Sequence, residues 1–319
     1  DTVASFRVAI SVRNGTLDLK TGKLRPARRE DQITKMAPVS YDPAAECPTW
    51  LAFLDRILAG NDVLIRYLQR ISGYALTADV SEQVLFFAWG RGANGKTTFL
   101  RALLGMLGEY ARQAEPDLLI ARHGEAHPTG VADLRGARIV AVSEVDEKRR
   151  WAETLLKQLT GGDVVKARLM RQDFFEFEPT WKLFIAGNHK PSVNGTDHAF
   201  WRRIRLIPFT VQIPLAEQDR GLLGKLRTEW PGILRWAVEG CLQWQREGLG
   251  YPEEVQEATH DYREEMDVVG TFLADSVSTA PQRQALSSDL YAAYSEWCLS
   301  TGEHPMSQRE RSHDEAREG

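Results

Sequence analysis

The stretch "QVLFFAWGRGANGKTTFLRALLGMLG", residues 83–108, joins three local patterns that together predict the fold. Residues 83–89 form an apolar run, which is typical of a strand covered on both faces. Residues 90–98, "GRGANGKTT", are rich in glycine, and the apolar residues that follow recur at helical spacing. A strand, a glycine-rich loop and a helix in this order predict a phosphate-binding loop.

The loop fits the pattern G-x-x-x-x-G-K-[ST] through Gly90, Gly95, Lys96 and Thr97. Glycines allow backbone N–H groups to point at phosphate oxygens, and the helix N-terminus adds a partial positive charge. We predict that Lys96 binds the β- and γ-phosphates of ATP and that the Thr97 hydroxyl ligates Mg²⁺. The alternative is an ordinary glycine-rich turn. The residues predicted to contact the nucleotide are Gly90, Gly92, Ala93, Asn94, Gly95, Lys96, Thr97 and Thr98.

Three further apolar runs follow, each separated from the last by a connecting segment. They are "ARIVAVSE" (137–144), "WKLFIAGN" (181–188) and "RIRLIPFTVQI" (203–213). Strands that alternate with helices predict an α/β fold with a parallel sheet. We therefore predict a P-loop ATPase core over residues 81–212.

Polar residues stand at the ends of two of these runs, where a parallel sheet places its ligands. Glu144 is predicted to hold Mg²⁺ and to polarise the attacking water, with Asp146 and Glu147 as alternatives. Asn188 carries an amide that both donates and accepts hydrogen bonds, so it could bridge the γ-phosphate and that water. The alternative for Asn188 is a simple turn residue, because Gly-Asn pairs are common in turns.

Arg202 and Arg203 precede the last strand. In an isolated monomer they would lie on a solvated edge. In a ring this edge can face the nucleotide of the neighbouring subunit, where a guanidinium stabilises the charge of the transition state. One of the two is therefore predicted to be an arginine finger.

The remaining chain and its composition limit the class of protein. The 319 residues are 43% hydrophobic and carry a net charge of −4, so any nucleic-acid contact must be a local patch. Residues 1–80 predict a β-hairpin and a helical unit, residues 213–270 a helical segment, and residues 271–319 one amphipathic helix and a charged tail. We expect no membrane span, and three scattered cysteines favour a reducing cytoplasm.

The ordered motifs resemble those of superfamily 3 helicases, and more narrowly the phage/plasmid and poxvirus-type primase–helicases, over roughly residues 5–300. The resemblance implies an AAA+-type core, a hexameric ring and ATP-driven unwinding of DNA in a bacterial cell that hosts a phage, prophage or plasmid. It also implies that Lys96 and Thr97 belong to the phosphate loop, Glu144 to the second motif and Asn188 to the sensor, with Arg202 or Arg203 as the finger.

The stretch 157–178 is similar to the motif of this superfamily that bears a DNA-gripping hairpin. Lys166, Arg168 and Arg171 alternate there with apolar residues, and such cations track a phosphate backbone without reading sequence. The alternative is an exposed strand with a polar face. Three aromatic residues in the same stretch are expected to be core residues rather than stacking platforms; they are Phe174, Phe175 and Phe177.

The predicted function is an ATP-dependent helicase or translocase that acts as a ring on single-stranded or forked DNA, alongside primase and other replication partners. The alternative is an ATP-regulated DNA-binding assembly or origin-recognition module that does not unwind processively. A small-molecule kinase is less favoured, because the sequence shows no pattern for a separate site that would bind a phosphoryl acceptor. We also expect a helicase portion without a primase catalytic domain, and a shortened winged-helix-like C-terminus.

Overall fold

The computed structural model describes residues 7–121, 129–143, 149–193, 197–278, 284–302 and 305. The β-strands in this part of the chain are β1 (Ala9–Val12), β2 (Gly15–Asp18), β3 (Lys23–Arg25), β4 (Leu85–Trp89), β5 (Ala111–Gln113), β6 (Ile139–Ser143), β7 (Val165–Ala167), β8 (Phe175–Phe177), β9 (Lys182–Gly187) and β10 (Ile204–Pro208). The α-helices are α1 (Pro48–Ile57), α2 (Asp62–Leu76), α3 (Lys96–Leu107), α4 (Thr129–Ala132), α5 (Glu153–Gly161), α6 (His198–Trp201), α7 (Leu222–Thr228), α8 (Trp230–Glu247), α9 (Glu253–Met266), α10 (Val268–Ser276) and α11 (Ser287–Thr301).

The centre of the fold is a parallel sheet of five strands in the order β10-β4-β9-β6-β5. Numbered along the chain within this sheet, the order is 5-1-4-3-2. The prediction of an α/β, AAA+-type P-loop core with a parallel sheet is thus confirmed. The edge strand β5 was not predicted, because its three residues carry no apolar run.

Both faces of the sheet are covered, which explains the continuous apolar runs. Phe86 and Ala88 pack into one buried cluster together with α1, α2, α3 and α8. Leu85 and Phe87 pack into a second cluster on the opposite face, with residues of α5 and α9. Successive side chains of a strand point to opposite faces, so a strand between two helical layers must be apolar throughout.

The N-terminal segment forms a three-stranded antiparallel sheet, β1-β2-β3, rather than the single hairpin predicted. Turns at Asn14-Gly15 and Thr21-Gly22 separate these strands. Gly15 is required at the first turn, since a Cβ there would lie 2.4 Å from the carbonyl oxygen of Arg25.

Helices α2 and α8 cross at unusually close range, and glycines on both helices permit it. A Cβ on Gly73 would lie 2.0 Å from the backbone nitrogen of Cys241, and a Cβ on Gly240 would lie 2.0 Å from the carbonyl oxygen of Gln69. The buried cluster on this face consequently runs across the predicted boundaries at residues 80 and 212.

The C-terminal helices α10 and α11 share a small buried cluster of Phe272, Tyr294 and Cys298. Cys298 and the other two cysteines, Cys47 and Cys241, are free thiols. The predicted charged tail, residues 307–319, lies outside the described residues. Within the described part of the chain, no helix is long and apolar enough to cross a membrane.

Candidate functional site

The glycine-rich loop leaves β4 and enters α3 at the carboxyl-terminal edge of the sheet. Gly95 has a left-handed backbone, with φ of 84°, and a Cβ there would lie 2.5 Å from Cγ2 of Ile57 in α1. Gly90 approaches the chain after β10 so closely that a Cβ would lie 2.1 Å from the carbonyl oxygen of Phe209. The loop conformation therefore requires glycine at both predicted motif positions.

Lys96 is almost completely buried at the start of α3, with 4% of its surface exposed. Its Nζ donates to the carbonyl oxygen of Gly90 at 2.5 Å, to Oδ1 of Asn94 at 2.9 Å and to Oδ1 of Asn188 at 3.1 Å. Burial lowers the pKa of Lys96 to about 8, because desolvation disfavours the ammonium form. The structure thus brings together the phosphate-loop lysine and the amide predicted at the end of β9.

The segment after β10 forms hydrogen bonds with the glycine-rich loop and holds it in this conformation. The amide nitrogen of Asn94 donates to the carbonyl oxygen of Phe209 at 3.1 Å and to that of Arg91 at 2.6 Å. The backbone N–H of Ile213 donates to the carbonyl oxygen of Ala93 at 2.8 Å. Sequence reasoning missed this support, because no local pattern links residues more than a hundred positions apart.

A cavity of about 230 Å³ opens at this edge, lined by the loop, the first turn of α3, Ser143 and residues 186–188. The first N–H groups of any α-helix have no acceptor inside the helix, so they are available to a ligand. None of the described residues that line the cavity carries a carboxylate, whereas Lys96 contributes a buried ammonium. These donors fit a phosphate group, and the hydroxyl of exposed Thr97 fits a hard cation beside it.

The residues predicted to complete the metal site, Glu144 with its alternatives Asp146 and Glu147, lie outside the described residues. The last described residue of β6, Ser143, lines the cavity. Its position was not predicted, although the end of a strand beside β9 was the signal that could have identified it.

A larger cavity, of about 570 Å³, lies at the same edge beside β4, β10 and α9. Its charged lining is mainly acidic, with four carboxylates of α9 at Glu254, Glu257, Asp261 and Glu265. The one cation in its lining, Lys190, binds Glu265 at 2.7 Å. This electrostatic environment disfavours phosphate, so the phosphate-binding chemistry belongs to the smaller cavity.

The predicted finger residues lie at the amino-terminal ends of the strands, whereas the glycine-rich loop lies at the carboxyl-terminal ends. Ile204 at the start of β10 pairs with Leu85 at the start of β4, and the two arginines come just before it. Five strand residues rise about 17 Å, so neither guanidinium stands beside the loop of its own chain. Arg202 donates to Oε1 of Gln83 at 2.8 Å, and Arg203 donates to the carbonyl oxygen of Ala199.

Strands β7 and β8 form an antiparallel hairpin in the predicted stretch, with Lys166 opposite Glu176. Lys166, Arg168 and Arg171 are all exposed. Arg171 has φ of 61°, a left-handed conformation within the turn. The three cations predicted to contact nucleic acid therefore lie on the exposed surface of one hairpin.

The aromatic residues of this hairpin divide into two groups. Phe175 and Phe177 are half-buried and pack against the second buried cluster of the sheet, which contains Trp181. Phe174 is 51% exposed, so the prediction that it is a core residue is wrong. The reason is strand alternation: Phe174 points away from the face on which Phe175 packs.

A parallel α/β sheet with a glycine-rich loop, a buried loop lysine and a polar side chain on the adjacent strand defines a protein of the P-loop class. Comparisons with known proteins narrow this class. A family described as "D5 N terminal like" matches residues 2–59, and a family of unknown function, DUF5906, matches residues 88–203. The resemblance to viral primase–helicases is confirmed: this chain is similar to the D5 N-terminal family and to viral proteins that are named putative helicases and putative primases.

Among its relatives, a protein of Acanthamoeba polyphaga mimivirus named "Putative helicase" is 25% identical over 93% of this chain and 34% of its own length. A protein of African swine fever virus (strain Badajoz 1971 Vero-adapted) named "Putative primase" is 24% identical over 90% of this chain and 33% of its own length. The apo structure of the NrS-1 C-terminal region shares the fold, with a TM-score of 0.55 at 14% identity over 74% of this chain and 56% of that one. The chain spans about a third of the length of these curated relatives.

Proposed function

We propose that this chain is an ATP-dependent DNA helicase or translocase that acts as a ring on single-stranded DNA during replication of a phage or plasmid type. The observation that carries the proposal is the hydrogen bond between Lys96 and Asn188, which both line the cavity of about 230 Å³ at the glycine-rich loop. The names of the viral relatives, helicase and primase, support the same role.

The proposed nucleotide chemistry follows from what surrounds Lys96. Its ammonium group now donates to three neutral oxygens, two of them on side-chain amides. Phosphate oxygens are charged acceptors and form stronger hydrogen bonds, so ATP would draw the ammonium group away from Asn188. The amide of Asn188 would then be able to orient the attacking water beside the γ-phosphate.

Magnesium completes this proposal, and the Thr97 hydroxyl together with Glu144 would hold it. The ion would supply charge neutralisation at the β- and γ-phosphates. Asp146 and Glu147 remain alternatives to Glu144 for this role.

The position of the two arginines supports a ring. Because Arg202 and Arg203 lie about 17 Å from the carboxyl edge of their own sheet, a finger role requires a neighbouring subunit. A homo-oligomer, in this family context a hexamer, would give each cavity one guanidinium from the next subunit. Such a residue contributes roughly 10³–10⁵ in rate in other phosphoryl-transfer systems.

The exposed hairpin supports the contact with DNA. Lys166, Arg168 and Arg171 would each neutralise a backbone phosphate, which makes the affinity depend on salt but not on base sequence. In a ring these hairpins would line the channel.

Two measurements test the proposal. Lys96→Ala should abolish ATP hydrolysis, and retained turnover would disprove the assignment of the phosphate loop. Arg168→Ala combined with Arg171→Ala should weaken single-strand binding and reduce the slope of log affinity against log salt by about 0.7 per lost contact. The matched control is Lys20→Ala combined with Arg220→Ala, two exposed cations on other elements, which should leave the slope unchanged.

A further inference from the structure

The hairpin of β7 and β8 concentrates exposed apolar side chains. Val164, Leu169, Met170 and Phe174 are 52%, 37%, 70% and 51% exposed, and all four lie within eleven residues of the chain. Scattered apolar residues on a surface need no explanation, whereas a contiguous group of them marks a contact site. Three-residue strands provide no core of their own that these side chains could join.

Phe174 is held in place by two cations. The Nζ of Lys166 lies 5.2 Å from the centroid of its ring, and Cζ of Arg168 lies 5.0 Å from it. Cation–π attraction at this range restrains an exposed ring. About half of the Phe174 surface nevertheless remains open to solvent.

The ring faces away from the body of the protein. Ala167 pairs with Phe175, and the buried or half-buried residues of the hairpin, among them Val165 and Phe177, share that inward face. The ring of Phe177 lies 5.9 Å from that of buried Trp181. Phe174 immediately precedes β8, so by alternation it points to the outward face that also carries Lys166.

We propose that Phe174 is a base-stacking residue, which contacts the nucleobases of single-stranded DNA while Lys166 and Arg168 contact the flanking phosphates. This inference rests on the proposed function, in which the hairpin binds single-stranded DNA, and it adds a contact of a different chemical kind. A strand of DNA alternates flat aromatic bases with anionic phosphates, and an aromatic ring flanked by cations matches both. The bases of duplex DNA are stacked on each other, so the ring selects for single strands.

The charge of the hairpin favours this ligand over a second copy of the chain. Residues 166–176 carry three cations, Lys166, Arg168 and Arg171, against two carboxylates, Asp173 and Glu176. At the tip of the hairpin, residues 168–173, two cations stand against one carboxylate. Two such tips in contact would bring like charges together, which is unfavourable. A polyanion neutralises the same charges.

The stacking contact and the phosphate contacts can be separated by their response to salt. Phosphate contacts release counterions and lose affinity as salt rises, whereas base stacking does not. Phe174→Ala should therefore weaken binding of an oligothymidylate roughly fivefold to a hundredfold at every salt concentration, with an unchanged salt slope. The control Leu299→Ala, which removes an exposed apolar side chain of α11 outside the hairpin, should change the affinity by less than about twofold.

The experiment measures fluorescence anisotropy of labelled oligothymidylate and of an abasic strand of equal length. Wild type and Phe174→Ala should bind the abasic strand equally, because it has no bases to stack. As a second readout, oligothymidylate should quench the indole emission of Phe174→Trp by more than that of wild type, which has nine tryptophans of its own, and the abasic strand should produce no such difference.

Three results would overturn the inference in distinguishable ways. If wild type binds no single strand, the proposed DNA contact of the hairpin fails, and the stacking role with it. If wild type binds but Phe174→Ala binds equally well, the stacking role alone is wrong. If Phe174→Ala changes the oligomeric mass without changing DNA affinity, the ring contacts a second copy of the chain instead.

Discussion

Replacement of Lys96 by methionine should reveal the energetic consequence of burying the phosphate-loop ammonium. The side chain is 4% exposed, and burial lowers its pKa from the ordinary value of 10.5 to about 8. A pKa difference of about 2.5 units corresponds to about 3.5 kcal/mol, at roughly 1.4 kcal/mol per unit. The folded protein is less stable by this amount wherever Lys96 must be charged.

The sign of the pH dependence follows from the order of the two pKa values. Below pH 8 both the folded and the unfolded chain hold the proton, so the destabilisation is complete. Between pH 8 and 10.5 the unfolded chain holds more protons, and the free energy of unfolding rises with pH. The destabilisation has disappeared above pH 10.5.

The assay is urea unfolding of wild type and Lys96→Met from pH 7 to pH 9.5 at fixed ionic strength. The free energy of unfolding of wild type should rise relative to that of the variant by about 2 kcal/mol over this interval. The control Lys20→Met removes an exposed lysine and should show no such trend. A difference between wild type and Lys96→Met that stays constant with pH would refute the reasoning, because it would mean that the ammonium group is not desolvated.

Three further outcomes are expected. Asn188→Ala should lower kcat for ATP hydrolysis by roughly 10²–10³ and change nucleotide affinity less, since the amide is proposed to act on the attacking water; an unchanged kcat would contradict that role. Mixing Arg202→Ala subunits with Lys96→Ala subunits should restore part of the hydrolysis that each lacks alone, and no recovery, here or with the neighbouring arginine, would argue against a shared site. Gly73→Ala should lower the free energy of unfolding by about 3 kcal/mol, because the new Cβ would lie 2.0 Å from a backbone nitrogen of α8. Gly224→Ala, where nothing lies within 4 Å of the added Cβ, is the control in urea unfolding.

The sheet and its loop could be predicted because local chemistry specifies them. The runs that became β4, β6 and β9 are apolar except for Ser143 at the end of β6 and Lys182 at the start of β9, and such a pattern is typical of a strand between two covering layers. Gly95 is followed directly by the first residue of α3, as the phosphate-loop pattern requires. Parallel pairing then places Asn188 beside Lys96.

Other features depend on contacts between distant parts of the chain, which no local pattern contains. The close crossing of α2 and α8 requires glycine at positions 73 and 240, where the two backbones approach each other. A single glycine in a helical pattern does not indicate which helix packs against it. Strand β5 has three residues, which is too short to show the alternation of apolar and polar side chains that predicts a strand. The sequence predicts Phe174 to be a core residue because aromatic residues are usually buried, and only the register of β7 and β8 reveals that its side chain points outward.

Strand displacement on a forked DNA tests the central claim most directly. Wild type with ATP and Mg²⁺ should release the labelled strand, whereas Lys96→Ala, or wild type with a non-hydrolysable ATP analogue, should release none. Vigorous ATP hydrolysis by wild type without release of the strand from substrates of either overhang polarity would contradict the account and favour an ATP-regulated assembly module instead.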